Sequence, residues 1–123
     1  MLFIAKHILW VDCIGAILTG ILLAALSGYI APLYSLPQSW VIAHAVVHLV
    51  YGTYSFSLAI RRTRPMALIK LLVFANAAWA FLCIIFAAKM VESDPVFAAV
   101  HFLIEGIYVG GLAYFEWTVR KEL

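Results

Sequence analysis

Two stretches in the most apolar parts of the chain carry ionisable groups at helical spacing. His44, His48 and Tyr51 recur in pattern as His101, Glu105 and Tyr108, each an H-x3-[H/E]-x2-Y run. Residues three and four apart share one face of a helix, so each run is a polar stripe. Asn76, Trp79 and Cys83 form a third stripe, stepping by three and then four residues. These residue types offer proton chemistry. A Glu in a dry pocket can act as an acid, a His one turn away can hold or pass the proton, and the face of a Trp ring can stabilise a developing positive charge. Ionisable groups in hydrocarbon are costly and point to a functional site, with hydrogen bonding between helices as the structural alternative.

The elements that must position them are membrane helices. Of 123 residues, 67% are hydrophobic and 11% charged, and the mean hydropathy is +1.07. A soluble domain of this size has no interior large enough to hide such a surface. The apolar runs predict an all-α, single-domain bundle over residues 1–123, with four transmembrane helices near 8–29, 39–60, 67–88 and 96–119, each about 20 residues and so long enough to cross a bilayer. The first reads as a retained helix rather than a signal peptide. Short connections predict that consecutive helices are antiparallel neighbours. Basic residues set the orientation. Lys6, Arg61, Arg62, Arg64, Lys70, Arg120 and Lys121 flank one side, whereas the 30–38 link has no charge and the 89–95 link sets Lys89 against Glu92 and Asp94. Both termini should face the cytoplasm, in a bacterial cytoplasmic membrane. The net charge of +2 is too small and too localised for a nucleic-acid partner.

With helices two and four running inward, His44 and His101 should lie roughly 8 Å below the outer boundary, and His48 and Glu105 roughly 14 Å. Helix three runs outward and brings Asn76 and Trp79 to roughly 14 and 18 Å above the inner boundary. Three helices thus carry polar groups to one level. The expected interior holds His48, His101 and Glu105 as proton-handling residues, with His44, Asn76, Trp79, Tyr51 and Tyr108 lining a pocket for a hydrophobic ligand. This reading requires no cofactor and assigns no metal.

Other chemistries use the same residues. His44 and His48 one turn apart, with His101 and Glu105, make up a three-His, one-carboxylate metal set, and a pair of these histidines suits haem. Chains of Asp, Glu and His also mark proton and solute paths. In the structural alternative, the polar groups only hold helices in register within an accessory subunit or a homo-oligomer. Two matched runs also suit a duplicated two-helix hairpin.

Two strings resemble the emopamil-binding protein family of membrane sterol isomerases. His101-Phe-Leu-Ile-Glu105-Gly106 is similar to the family's H-L-x-I-E-G segment, and Asn76-Ala-Ala-Trp79 is similar to its N-x-x-W segment. Their order along the chain is reversed relative to the family, and about 15 residues are covered. The resemblance implies a sterol- or isoprenoid-like substrate and an isomerase reaction, with His101 and Glu105 in acid–base roles and Trp79 facing a carbocation.

The remaining polar residues have plainer readings. Asp12 is expected at the cytoplasmic interface near Lys6 or Arg61, and Glu116 as an interfacial partner of Arg120. Trp10, Trp40, Trp117, Tyr29 and Tyr34 read as interfacial anchors. Pro37 and Pro95 mark helix starts. Gly15, Gly20, Gly106, Gly110 and Gly111 predict close helix approaches. Cys13 and Cys83 fall at different depths, too far apart for a disulfide.

Overall fold

The computed structural model describes residues 2–92 and 96–123. The expected helix start at Pro95 and the charge at Asp94 lie outside them. The described residues are all-helical, and four helices have the length and composition to cross a membrane. These are α1 (Leu2–Ala25), α3 (Gln38–Ala59), α4 (Met66–Met90) and α5 (Phe97–Thr118), with a short α2 (Ser27–Leu33) between α1 and α3 and a final 3-10 turn, Arg120–Glu122. The last three spans match the expected positions to within two residues. The first starts at Leu2 rather than near Ile8, which sinks Asp12 about 15 Å along the helix.

Part of the 30–38 link is the unexpected α2, and its end matters for the site. Backbone N–H groups of Leu36 and Ser35 donate to the carbonyls of Ala31 and Pro32 at 2.9 and 3.2 Å, the pairing of a Schellman turn. Ser35 occupies the left-handed residue of that turn at φ 55°. The turn leaves Tyr34 at the helix cap, with its ring directed over the bundle.

The long helices pair as α1 with α3 and α4 with α5, while α1 touches α5 more lightly. Helices α3 and α4 are consecutive but have almost no close backbone approach, contrary to expectation. Tight pairing needs small residues where backbones meet. A Cβ on Gly52 would lie 2.7 Å from Ile17 of α1, and one on Gly106 would lie 3.2 Å from Cβ of Cys83 on α4. Gly111 has open space around it and is not a contact glycine. In a membrane, where lipid tails are as apolar as leucine, such packing and not burial from water holds helix pairs together.

One end of the bundle is filled by Ile8, Leu9, Leu58, Ile69, Leu72 and Leu112, drawn from all four long helices. Arg64 closes α3 there, donating from Nε to the Leu58 carbonyl (2.6 Å) and from Nη2 to that of Ala59 (3.0 Å). Toward the other end, all four long helices and α2 line a cavity of about 820 Å³. Trp40, Trp117 and Tyr29 are exposed near helix ends, whereas Trp10, expected as an anchor too, is exposed about 12 Å along α1.

Candidate functional site

Polar groups gather in two centres rather than one. The outer centre lies toward the α2 end of the bundle, with the inner centre toward the opposite end, and is built on Glu105, which α5 carries into the interior. Its carboxylate meets Nε2 of three imidazoles: His101 at 3.0 Å, His44 at 3.0 Å, and His48 in closer contact still. Trp79 of α4 donates its indole N–H to Oε1 at 3.1 Å. Spacing explains the reach. His44 and His48 stand one turn apart on α3 with their rings stacked at 4.8 Å, and His101 precedes Glu105 by one turn on α5. Rings of His44 and His48 meet Trp79 edge-on at 5.2 and 5.9 Å, bridging the gap that the α3 and α4 backbones leave.

Tyr34 completes this centre. Its hydroxyl lies 3.0 Å from Nδ1 of His101. Burial, helped by the Glu105 charge, pushes that hydroxyl above its ordinary value, so it remains a donor. With Nε2–H of His101 donating to Glu105, Nδ1 is left to accept from Tyr34. The expected anchor role of Tyr34 is therefore replaced by a site contact. No spacing in the sequence connects residues 34 and 101; only the α2 cap brings them together.

The inner centre was not expected as a unit. Asp12, Asn76, Tyr51 and Glu116 come from four different long helices and are joined by hydrogen bonds. Tyr51 donates to Oδ2 of Asp12 at 2.7 Å, and the Asn76 amide donates to Oδ2 of Asp12 at 3.0 Å and to Oε1 of Glu116 at 2.7 Å. Asp12 and Glu116 are 1% and 0% exposed, so neither is interfacial. Arg120 does not pair with Glu116; its guanidinium sits 3.8 Å over the Trp117 ring. Asn76 is thus withdrawn from the His/Glu centre to this one, because it stands one turn of α4 away from Trp79, at the level of Asp12 and Glu116.

The cavity connects the two. His48, Trp79, His101 and Glu105 line it at one end, Asp12, Tyr51 and Asn76 at the other, with apolar walls that include Leu82, Val100 and Ile104. Tyr51 and Tyr108 line it too, but their hydroxyls bond to α1, Tyr108 to the carbonyl of Val11 at 3.1 Å. His44 borders a second, smaller hollow of about 290 Å³ on the far side of the same centre. Wall residues Leu82, Val100 and Ile104 are exposed and lie within α4 and α5, so the cavity is open and bordered by apolar side chains of these two helices. Cys13 and Cys83 are free, buried thiols. No family model, curated protein or solved structure matches this chain, so function has to be read from the site itself.

Proposed function

We propose that this chain is an integral protein of a bacterial cytoplasmic membrane, with both termini inside, that takes a hydrophobic small molecule of isoprenoid or sterol type from the bilayer. The ligand enters through the cavity opening, packs its apolar body on the cavity walls and places its polar or unsaturated end at the His/Glu centre. There the chemistry is proton transfer or isomerisation. Glu105 is the acid, His101 the relay extended by Tyr34, His48 the second proton group, and Trp79 the ring beside a developing cation. One observation carries the reading: an open cavity with apolar walls ends at a cluster of proton-handling side chains. Ligand sites are commonly of this kind, apolar with few convergent polar groups.

The inner centre supports this division of labour. It ties four helices at one level, which is the role of interhelical hydrogen bonds in register. That structural duty need not fall on the outer centre. Native mass spectrometry of protein released gently from its own membrane tests the reading. A retained lipophilic molecule of defined mass supports it; a bare chain, or one carrying only bulk lipid or other subunits, sinks it. Against the identified molecule, Glu105→Gln should abolish turnover and leave the fold unchanged. Loss of the fold with turnover intact would make Glu105 structural.

A further inference from the structure

We propose that His44, His48, His101 and Glu105 form a site for one divalent transition-metal ion of the zinc or cobalt type at the outer end of the cavity. The inference rests on the ligand-cavity reading only for the open side of the ion. With the ion bound, these four residues are ligands, and the proton roles assigned above belong to the ion-free centre.

Hydrogen positions make the first argument. Nε2 of His44 lies 2.9 Å from Nε2 of His48, and both nitrogens also face Glu105. A neutral imidazole nitrogen either donates or accepts. If both carry hydrogen, two donors confront each other. If His44 gives up its hydrogen, its lone pair confronts the carboxylate, 3.0 Å away. With Glu105 ionised, no placement of protons on neutral rings satisfies all three contacts. A cation among them does, since two nitrogen lone pairs and a carboxylate then point at one positive charge.

Spacing makes the second. Ligand atoms of His44, His101 and Glu105 lie within 4.8 Å of one another. An ion with bonds of 2.0–2.1 Å in tetrahedral geometry spaces its ligands about 3.3 Å apart. The contacts of 2.9 Å between His44 and His48, and of 3.0 Å from Glu105 to His44 and His101, fall a few tenths short of that. Small rotations of side chains already in place would open them to fit. His48 stands outside that three-residue group and in closer contact with Glu105, so its side chain has to swing further than the others to serve as the fourth ligand.

Outer partners make the third. A metal-bound His is usually held by a hydrogen bond at its other ring nitrogen, and a ligating carboxylate is hydrogen-bonded in turn. Tyr34 holds Nδ1 of His101, and Trp79 holds Glu105. The donor set of three imidazoles and one carboxylate suits zinc, cobalt, iron, nickel or copper, not the all-oxygen preference of calcium or magnesium. His48, His101 and Glu105 border the cavity, so a ligand atom or water can approach the ion from that side.

The test uses the full chain in detergent, purified without a histidine tag, stripped with chelator and titrated with Co2+. The expected result is one equivalent bound, with the visible absorption of a four- or five-coordinate ion, displaced by Zn2+. His101→Ala and Glu105→Gln should abolish the absorption. Tyr34→Phe, at the edge of the centre and safe for the fold, should weaken binding about ten-fold. A folded wild-type chain that gives no such absorption, or absorption that survives both ligand substitutions, overturns the proposal. The lipophilic molecule sought above is measured on the same preparation. Cobalt binding without that molecule would sink the ligand reading and keep the metal; the molecule without cobalt binding would do the reverse.

Discussion

Tyr34 is hydrogen-bonded to the back of His101, its hydroxyl 3.0 Å from Nδ1, while the front nitrogen of that ring faces Glu105. The tautomer of His101 therefore reports what the outer centre holds. With no ion, Nε2 carries the hydrogen and Tyr34 donates to Nδ1. With an ion on Nε2, the hydrogen moves to Nδ1 and Tyr34 accepts it. Nitrogen-15 spectra of histidine-labelled protein should show His101 as the Nε2–H form in chelator and the Nδ1–H form with Zn2+. Tyr34→Phe should cost only about 0.6 kcal/mol in stability. Identical spectra in both states would separate His101 from any ion.

The inner centre sets two buried carboxyls on a single amide. Among the described residues no Lys or Arg pairs with either, and Oε2 of Glu116 is buried without a hydrogen-bond partner. Two substitutions should therefore act in opposite directions. Asn76→Ala removes the one donor both share and should destabilise by about 1–3 kcal/mol. Asp12→Asn removes one of two crowded acids and should be neutral or stabilising. Thermal unfolding in detergent compares them, and a larger loss for Asp12→Asn than for Asn76→Ala would show that the acid, not the amide, holds the helices.

Close approach explains some glycines and not others. A Cβ at Gly52 meets Ile17 at 2.7 Å and its backbone nitrogen at 3.3 Å, so Gly52→Val should wedge α1 from α3 and cost about 1–3 kcal/mol. Gly111→Ala meets nothing within 4 Å and removes a helix-weakening residue. It should stabilise, by up to about 1 kcal/mol. Equal melting shifts for the two variants would refute the packing assigned to α1 and α3.

Depth was legible in the sequence for most of the polar residues, but not for all. Counting residues along apolar runs placed His44, His48, Trp79, His101 and Glu105 at compatible levels, and they do meet. The same arithmetic put Asn76 beside them, although Asn76 and Trp79 share a face of α4 and differ by one turn; that turn carries the amide to the level of Asp12 and Glu116 instead. Asp12 and Glu116 were misplaced for another reason. Nearby Lys6 and Arg120 made them look interfacial, but α1 begins six residues before its expected start, and both carboxyls sit inside. Tyr34 was out of reach altogether, since its contact depends on a left-handed Ser35 that no hydrophobic pattern encodes.

Orientation gives a final prediction, argued from charge alone. Arg61, Arg62 and Arg64 join α3 to α4, and Arg120 and Lys121 follow α5, so the basic residues gather on one side of the bundle. Short basic loops stay on the cytoplasmic side during insertion. A reporter that fluoresces only in the cytoplasm should therefore be bright when fused after Leu123, and a reporter active only outside should be silent there. Arg64 adds a structural reason for this link to resist change, since its guanidinium also closes the end of α3. Arg61→Glu with Arg62→Glu should weaken the topological bias while leaving that cap intact, giving a mixed population with both reporters partly active. A C-terminus found outside in the unmodified chain would invert the bundle and place the His/Glu centre in its cytoplasmic half.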